Sequence, residues 1–503
     1  MFVLEPSVIP AGLSGHADWF TANIPLFECP EPIIQEIYYF RWDVYRKHLK
    51  DTLAGFVVTE FLPDVPWAGV YNTISCAVGH HLYEGRWLHT STYLDDYATF
   101  WFRPDATPRR YSCWLADAIY ARYLVTDDAR LPLDLLDDLI ANYEAWETEH
   151  LAANGLFWQL DDRDGMEFQI SGSGCRPTIN SYMYGDAVAI AHMAEMAGRA
   201  DVAILYRGKA AQIKALTQEK LWDAKALFFK TLPTQVAVDE HWTAGPYQHS
   251  DLGPWYPAGT LTDVRELQGY LPWYFNLPDP GYEAGWAQLT DHEGFFGAYG
   301  PSTVERRHPY WLPAPSVHLH DCLWRGSSWP YATAQTLSAL ANLLNNYQQD
   351  LVSAQDYIDL IRIYARSHHR TQSDGSIVPW IDESLHPDTS EWVTRATLYA
   401  RDDPNKDRGR DYNHSTFCDL VITGLVGLRP RSGDALEVKP LLPEGTWEYF
   451  CLDHVRYHGH TLTILYDRTG HRYGKGTGLR VYADGQEIGR TSELGHIMAH
   501  LPG

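Results

Sequence analysis

The feature that most limits how this chain can fold is the spacing of its helical segments. Apolar residues recur with a helical period over Ile33 to Leu49, Leu94 to Phe102, Cys113 to Val125, Pro132 to His150, Asn180 to Gly198 and Asp201 to Trp222. The pattern resumes over Tyr282 to Leu289, Ser328 to Tyr347, Ala354 to His368 and Ser415 to Val426. Pro32 falls in the first turn of the earliest long helix, where its missing N–H would be unpaired anyway. Short and long connections alternate, and the long ones are rich in Pro and Trp, as in His308-Pro309-Tyr310-Trp311-Leu312-Pro313. With one or two further helices the count approaches twelve. That is the number an all-α (α/α)6 toroid needs, with an inner ring, an outer ring and long loops gathered at one end. Loops of this length in a compact domain usually carry function.

After Pro430 the period changes. Leu436 to Pro440, Thr461 to Tyr466 and Gly478 to Ala483 alternate with a period near two, and Asp484-Gly485 marks a turn. The expected organisation is an extended lead-in over residues 1–30, the toroid over 31–430 and a small C-terminal antiparallel β-domain over 431–503. Within the toroid, Gly55 to Gly85 reads as strands and loops, and Phe228 to Gly269 as loop with short strands.

Charge and cysteines narrow the partners. A net charge of −24 lacks the basic footprint that nucleic acids and anionic membrane surfaces require. The seven cysteines are scattered, odd in number and never spaced Cys-x-x-Cys, which suggests reduced thiols. The start, Met1-Phe2-Val3-Leu4-Glu5-Pro6, has no basic stretch followed by an apolar one, and no run of ~20 apolar residues exists to span a bilayer. The expectation is a soluble, cytoplasmic protein. Of the 19 tryptophans, 18 precede residue 430, and many stand beside polar groups, as in Arg41-Trp42-Asp43, Gly85-Arg86-Trp87 and Trp324-Arg325-Gly326. An indole flanked by hydrogen-bonding groups suits a sugar, whose ring has an apolar C–H face and polar hydroxyls. A carbohydrate or small glycoside is the expected partner.

The chemistry points to carboxylates. Four acids crowd into Asp161-Asp162-Arg163-Asp164-Gly165-Met166-Glu167, between an aromatic run and the glycine-rich Ser171-Gly172-Ser173-Gly174. Such groups raise one another's pKa, which is costly in a loop that does no chemistry. A glycosidase needs one acid to protonate the leaving oxygen and a second carboxylate to activate water or attack the sugar. The second is expected on a distant loop, and Trp380 to Thr389, centred on Glu383, is the best candidate, with Glu391 as fallback. His318-Leu319-His320-Asp321-Cys322, His80-His81 and His368-His369 offer metal-ligand types without zinc-motif spacing, so no metal is expected. No Gly-x-Gly-x-x-Gly, Walker loop or Gly-x-Ser-x-Gly elbow is present, and no cofactor is expected.

Several runs carry a family resemblance: Asn180-Ser181-Tyr182-Met183-Tyr184 leading to Leu221-Trp222-Asp223, Gly269-Tyr270-Leu271-Pro272-Trp273, Cys322-Leu323-Trp324-Arg325-Gly326-Ser327-Ser328-Trp329, and Glu383-Ser384-Leu385-His386-Pro387. The chain resembles the (α/α)6-barrel glycoside hydrolases related to family 63 and the mannosylglycerate hydrolases. The acidic string followed by Arg176-Pro177-Thr178-Ile179-Asn180 is similar to the branch that includes family 142 β-L-arabinofuranosidases. In family 63 the general acid is an Asp in Gly-x-Asp-x-Ser; here the resemblance implies Asp164 as acid, with Asp162 as runner-up, and Glu383 as general base. It also implies inversion, with carboxyl groups about 6.5–9.5 Å apart; exo action is the expectation for a pocket closed at one end. The resemblance places Tyr38 and Trp42 as sugar contacts; Trp87, Arg163, Asn180, Tyr184, Trp273, Trp324, Arg325, Trp329, Trp380 and His414 are the further expected contacts. Two rivals are a sugar epimerase or lyase using the histidines at 80, 81, 318 and 320, and a non-catalytic glycan-binding protein.

Overall fold

In the computed structural model residues 3–235, 256–312 and 321–503 are described. His318 and His320 therefore lie outside the described residues. Helices dominate the part of the chain before residue 430, and local chemistry explains where they start and stop. The helix Pro32–His48 opens on proline and ends on Arg46, Lys47 and His48, where positive charge meets the negative end of the helix dipole. Pro177–Met196 and Pro330–Asn346 also open on proline. Pro177–Met196 buries 15 of its 20 residues, so it lies inside the protein rather than against its surface. Its partner Ala200–Lys220 buries only Ala203, Tyr206, Ala210, Ile213 and Thr217, a single stripe. Ser353 and Asp356 form a reciprocal capping box at the start of Ala354–Ser367.

Packing links these helices in succession. Val78–Gly85 touches Leu115–Thr126, which touches Pro177–Met196; that helix meets the short helix Leu271–Tyr274, and Leu271–Tyr274 meets Pro330–Asn346. Pro330–Asn346 in turn meets the turn Cys418–Leu420, which contacts Val78–Gly85. Ala354–Ser367 packs on both Pro330–Asn346 and Pro32–His48.

Four segments differ from expectation. Val78–Gly85 is helical, although its Gly, His and Tyr content hides the period. Its Gly79 is pressed against the Trp114 ring so closely that a Cβ would collide with it. Glu283–Gln288 is a 3-10 turn, and the expected last helix is a short turn, Cys418–Leu420, running into the π-helical Val421–Leu425. Residues before 30 are more than an extended lead-in: they hold the helix Ala17–Asn23 and the strand Leu26–Glu28.

That strand joins the C-terminal end of the chain. It pairs antiparallel with Tyr449–Tyr457, Leu26 opposite Asp453, and the sheet continues through His460–Asp467, Gly478–Ala483 and Gln486–Thr491. A second sheet orders Ile497–His500, Ala435–Val438 and Leu428–Arg429. Buried Asp453 fastens the join, its Oδ2 accepting from the Val3 and Leu4 amides at 2.6 and 2.9 Å and its Oδ1 from the Thr463 hydroxyl at 2.6 Å. One apolar cluster runs from Phe20 through Trp114 to Trp447 and Leu465. No helix among the described residues is long and apolar enough to cross a membrane.

Candidate active site

The acidic stretch divides into two halves with different work. Asp161 and Asp164 turn inward to Arg176, which is fully buried. All five N–H donors of that guanidinium are used: Nε to Asp164 Oδ2 (2.6 Å), Nη1 to Asp161 Oδ1 (2.8 Å) and the Gly172 carbonyl (2.6 Å), Nη2 to the Met166 carbonyl (2.9 Å) and Gln169 Oε1 (2.5 Å). Thr178 Oγ1 also donates to Asp164 Oδ2. Arg176 thus folds the loop around itself just before Pro177 starts its helix. Asp164 has no exposed surface and does not line the cavity described next; burial raises its carboxyl, and the Arg176 charge opposes the rise.

Asp162, Arg163 and Glu167 turn the other way, into a cavity of ≈ 450 Å³. Asp162 pairs with Arg163 at 3.0 Å, and the Arg163 guanidinium lies 5.6 Å from the Tyr111 ring centre. Gly165 is needed between the two halves: its φ of +75° is left-handed, and a Cβ there would stand 2.8 Å from the Tyr331 hydroxyl. Glu167 is held at both ends. Its carbonyl accepts from the Trp324 amide at 3.2 Å, and its Oε2 accepts from the Cys322 thiol at 2.9 Å. Arg325 braces the next residue, donating to the Phe168 carbonyl at 2.8 Å. Burial pushes the Glu167 carboxyl up to about 8, with the charges of Asp162 and Glu60 adding to the rise and the Cys322 hydrogen bond opposing it.

Glu383 lines the same cavity from a loop more than 200 residues away in sequence and is almost fully buried. Paired backbone hydrogen bonds between Ser328 and Leu385, 2.8 and 2.9 Å, fix that loop. Arg408 grips the carboxylate with two bonds of 3.1 Å, and also donates to Asp321; Trp67 covers the guanidinium at 5.1 Å. Burial raises the Glu383 carboxyl, and the Arg408 charge pulls it back toward the ionised form. The indoles of Trp324 and Trp329 stack at 4.2 Å with planes 8° apart and form part of the wall.

Of the residues singled out from the sequence, the cavity gathers Asp162, Arg163, Trp324, Trp329, Glu383 and His414. The remaining expected sugar contacts do not line it. Tyr38, Trp42, Trp87 and Trp273 are buried core aromatics, with the Tyr38 hydroxyl on the Pro25 carbonyl at 2.8 Å and Trp87 Nε1 on Asp419 at 2.7 Å. Asn180 exchanges two hydrogen bonds with the Phe157 backbone. Tyr184 lies in a separate hollow beside His192 and Lys214, Arg325 supports the acidic loop, and Trp380 faces another hollow with Arg370 and Arg410. The fallback Glu391 does not line the cavity. Neither do His80 and His81, which are buried in the core, so among the described residues the proton-handling histidines of an epimerase are not gathered at the cavity apart from His414.

Sequence reasoning missed Glu167, Arg408, Glu60 and Cys76 as cavity residues. For Glu167 a signal was present: Gly165-Met166-Glu167 is a Gly-x-acid run with Glu where the family motif has Asp. For Arg408, set in the charged run Arg401 to Asp411, nothing distinguished it from a solvated surface.

The class of protein follows from comparison with known proteins. The chain belongs to the mannosylglycerate hydrolase MGH1-like glycoside hydrolase family, whose model matches residues 70–415. Residues 428–489 match the C-terminal domain of glycosyl hydrolase family 65. A solved chain described as "Sialidase" is 41% identical over 98% of this chain, with a TM-score of 0.85, and this chain spans 42% of its length. The GH63 mannosylglycerate hydrolase from Thermus thermophilus in complex with Tris is similar at 11% identity, covering 77% of this chain and 99% of that one, with a TM-score of 0.52. The GH78 rhamnosidase of Bacillus sp. GL1 is similar at 10% identity, covering 91% and 41%, with a TM-score of 0.53. At those identities the last two share the fold.

Proposed function

We propose that this glycosidase removes a terminal sugar from a small glycoside with inversion, Glu167 protonating the departing oxygen and Glu383 activating a water. The observation that carries the reading is the contrast between two carboxyl groups in one cavity. Glu167 sits against a neutral thiol with its proton held to about pH 8, whereas Glu383 is clamped by a guanidinium. Burial raises both carboxyls, and the Arg408 guanidinium pulls Glu383 back toward the ionised form, the difference that suits one to the role of acid and the other to that of base. Asp162, which also faces the cavity, is the alternative donor. A cavity of ≈ 450 Å³ falls at the small end of ligand pockets (~300–1,000 Å³) and suits a short glycoside rather than a polymer threaded through it.

The succession of helix contacts that returns from Cys418–Leu420 to Val78–Gly85 supports an (α/α)6 toroid, with Pro177–Met196 in its inner ring and Ala200–Lys220 outside. The toroid would occupy residues 31–430 and the β-domain 431–503, with residues before 30 clasping both. The seven cysteines, all outside any disulfide, fit a reducing, cytoplasmic setting.

The test is a screen of aryl and alkyl arabinosides, mannosides, glucosides, rhamnosides and sialosides, with the first-formed anomer followed by NMR. Release of a sugar whose anomeric configuration is opposite to that of the substrate supports the proposal. Retention of configuration, or activity only on internal bonds of a polysaccharide, would contradict it.

A further inference from the structure

Glu60, Cys76 and His414 meet at the cavity wall, and the hydrolytic reading does not use them. They come from three separate parts of the chain: Glu60 just past the strand Gly55–Val58, Cys76 in the 3-10 turn Ser75–Ala77, and His414 shortly before Cys418–Leu420. All three are buried, at 5, 8 and 3% exposure, and one donor atom of each lies within 4.8 Å of the others. Glu60 Oε2 is buried and accepts no hydrogen bond. His414 Nε2 stands 3.1 Å from it, but its N–H is aimed at the Glu60 backbone carbonyl, 3.0 Å away. A carboxylate oxygen enclosed by protein normally has a partner, and here the nearest candidates are a thiol and an imidazole.

We propose that Glu60, Cys76 and His414 bind a divalent transition-metal ion of the zinc type, with a fourth coordination position open to the cavity. The donor set decides the class of ion. One oxygen, one sulfur and one nitrogen suit zinc, whereas magnesium and calcium take oxygen ligands. Three protein ligands beside a cavity is also the arrangement that leaves a zinc position free for water or substrate. Bonds of ~2.0–2.3 Å hold tetrahedral ligand atoms roughly 3.3–3.8 Å apart, so the trio needs to draw in by about 1 Å, within reach of side-chain rotation. The surroundings favour a cation: Asp162, Glu167, Asp321 and Glu383 line the same cavity. The trio escapes a motif search because its members lie at positions 60, 76 and 414.

Metal content is measured without any substrate, so the result is independent of the glycosidase reading. The full chain is stripped with chelator, incubated with Zn2+, dialysed and analysed by mass spectrometry; a parallel sample takes Co2+ and is read by absorption. The proposal expects roughly one zinc per chain and a thiolate-to-cobalt charge-transfer band in the near ultraviolet. Cys76→Ser, with its fold checked by circular dichroism, should lose that band, and Cys76→Ser and Glu60→Gln should weaken zinc binding by at least about tenfold. Absence of the band in the wild-type protein overturns the proposal whether or not the variants fold. So does stoichiometric zinc that persists undiminished in both variants.

Discussion

At the scale of single residues, the seven-residue acidic stretch carries two kinds of carboxyl group that look alike in the sequence. Asp161 and Asp164 share one buried guanidinium, and replacing Asp164 removes the charge that faces its Nε and breaks a fully buried network. Asp164→Asn is therefore expected to cost about 3–5 kcal/mol of stability, measured as a lowered midpoint in urea unfolding. A variant that keeps wild-type stability and loses only turnover would return the donor role to Asp164. Glu167 makes a pH prediction. Its folded pKa is raised to about 8 from an ordinary 4.5, so in the proposed role its proton is present below pH 8 and is lost above it. The alkaline limb of kcat/KM should fall near pH 8 in wild type and vanish in Glu167→Gln. The stability sign is the same way round. Between pH 4.5 and 8 the unfolded chain has released this proton and the folded one has not, so stability falls as pH rises through that window. Thermal unfolding should show the wild type losing ground against Glu167→Gln from about pH 5 to 8; equal midpoints at all pH values would contradict the assignment.

At the scale of elements, the site rests on loops braced by rigid neighbours. The Glu383 loop is strapped to Ser328 and pressed against Gly409, where any Cβ would fall on the Asp382 carboxylate. Gly409→Ala should displace Asp382 and Glu383 together and lower kcat on the order of 100-fold with helix content unchanged, assayed by turnover and circular dichroism. Long periodic helices such as Pro330–Asn346 and Ala354–Ser367 were legible because burial on a helical face repeats every three or four residues. Val78–Gly85 was not, because its place inside the protein depends on Trp114 filling the space beside Gly79 and Tyr45 that beside Gly85. The site was partly legible for a similar reason. Glu383 and the Trp324 loop stand in recognisable runs, while most of the single tryptophans proved to be core, where an indole's large apolar surface is most often placed. Which acid of the stretch faces the cavity is set by Arg176, a partner that sequence spacing does not reveal.

At the scale of the whole molecule, the first thirty residues tie the helical part to the C-terminal sheets. Leu26 and Phe27 are fully buried there, and Asp453 holds the Val3 and Leu4 amides. Deleting residues 1–28 would bare the edge of Tyr449–Tyr457, and the expected result is a lower melting temperature with concentration-dependent aggregation by light scattering. A monomeric, fully stable truncation would show the strand to be dispensable. The proposed reaction belongs to this scale, since Glu167 and Glu383 come from loops distant in sequence that line one cavity. The most direct test compares Glu167→Gln and Glu383→Gln on a methyl and a nitrophenyl glycoside of the same sugar. If Glu167 protonates the leaving oxygen, its loss should cut kcat/KM on the methyl glycoside by ~10²–10⁴ and far less on the nitrophenyl one, which departs without a proton. Glu383→Gln should depress both alike. A Glu167→Gln enzyme equally impaired on both, or on neither, would contradict the account.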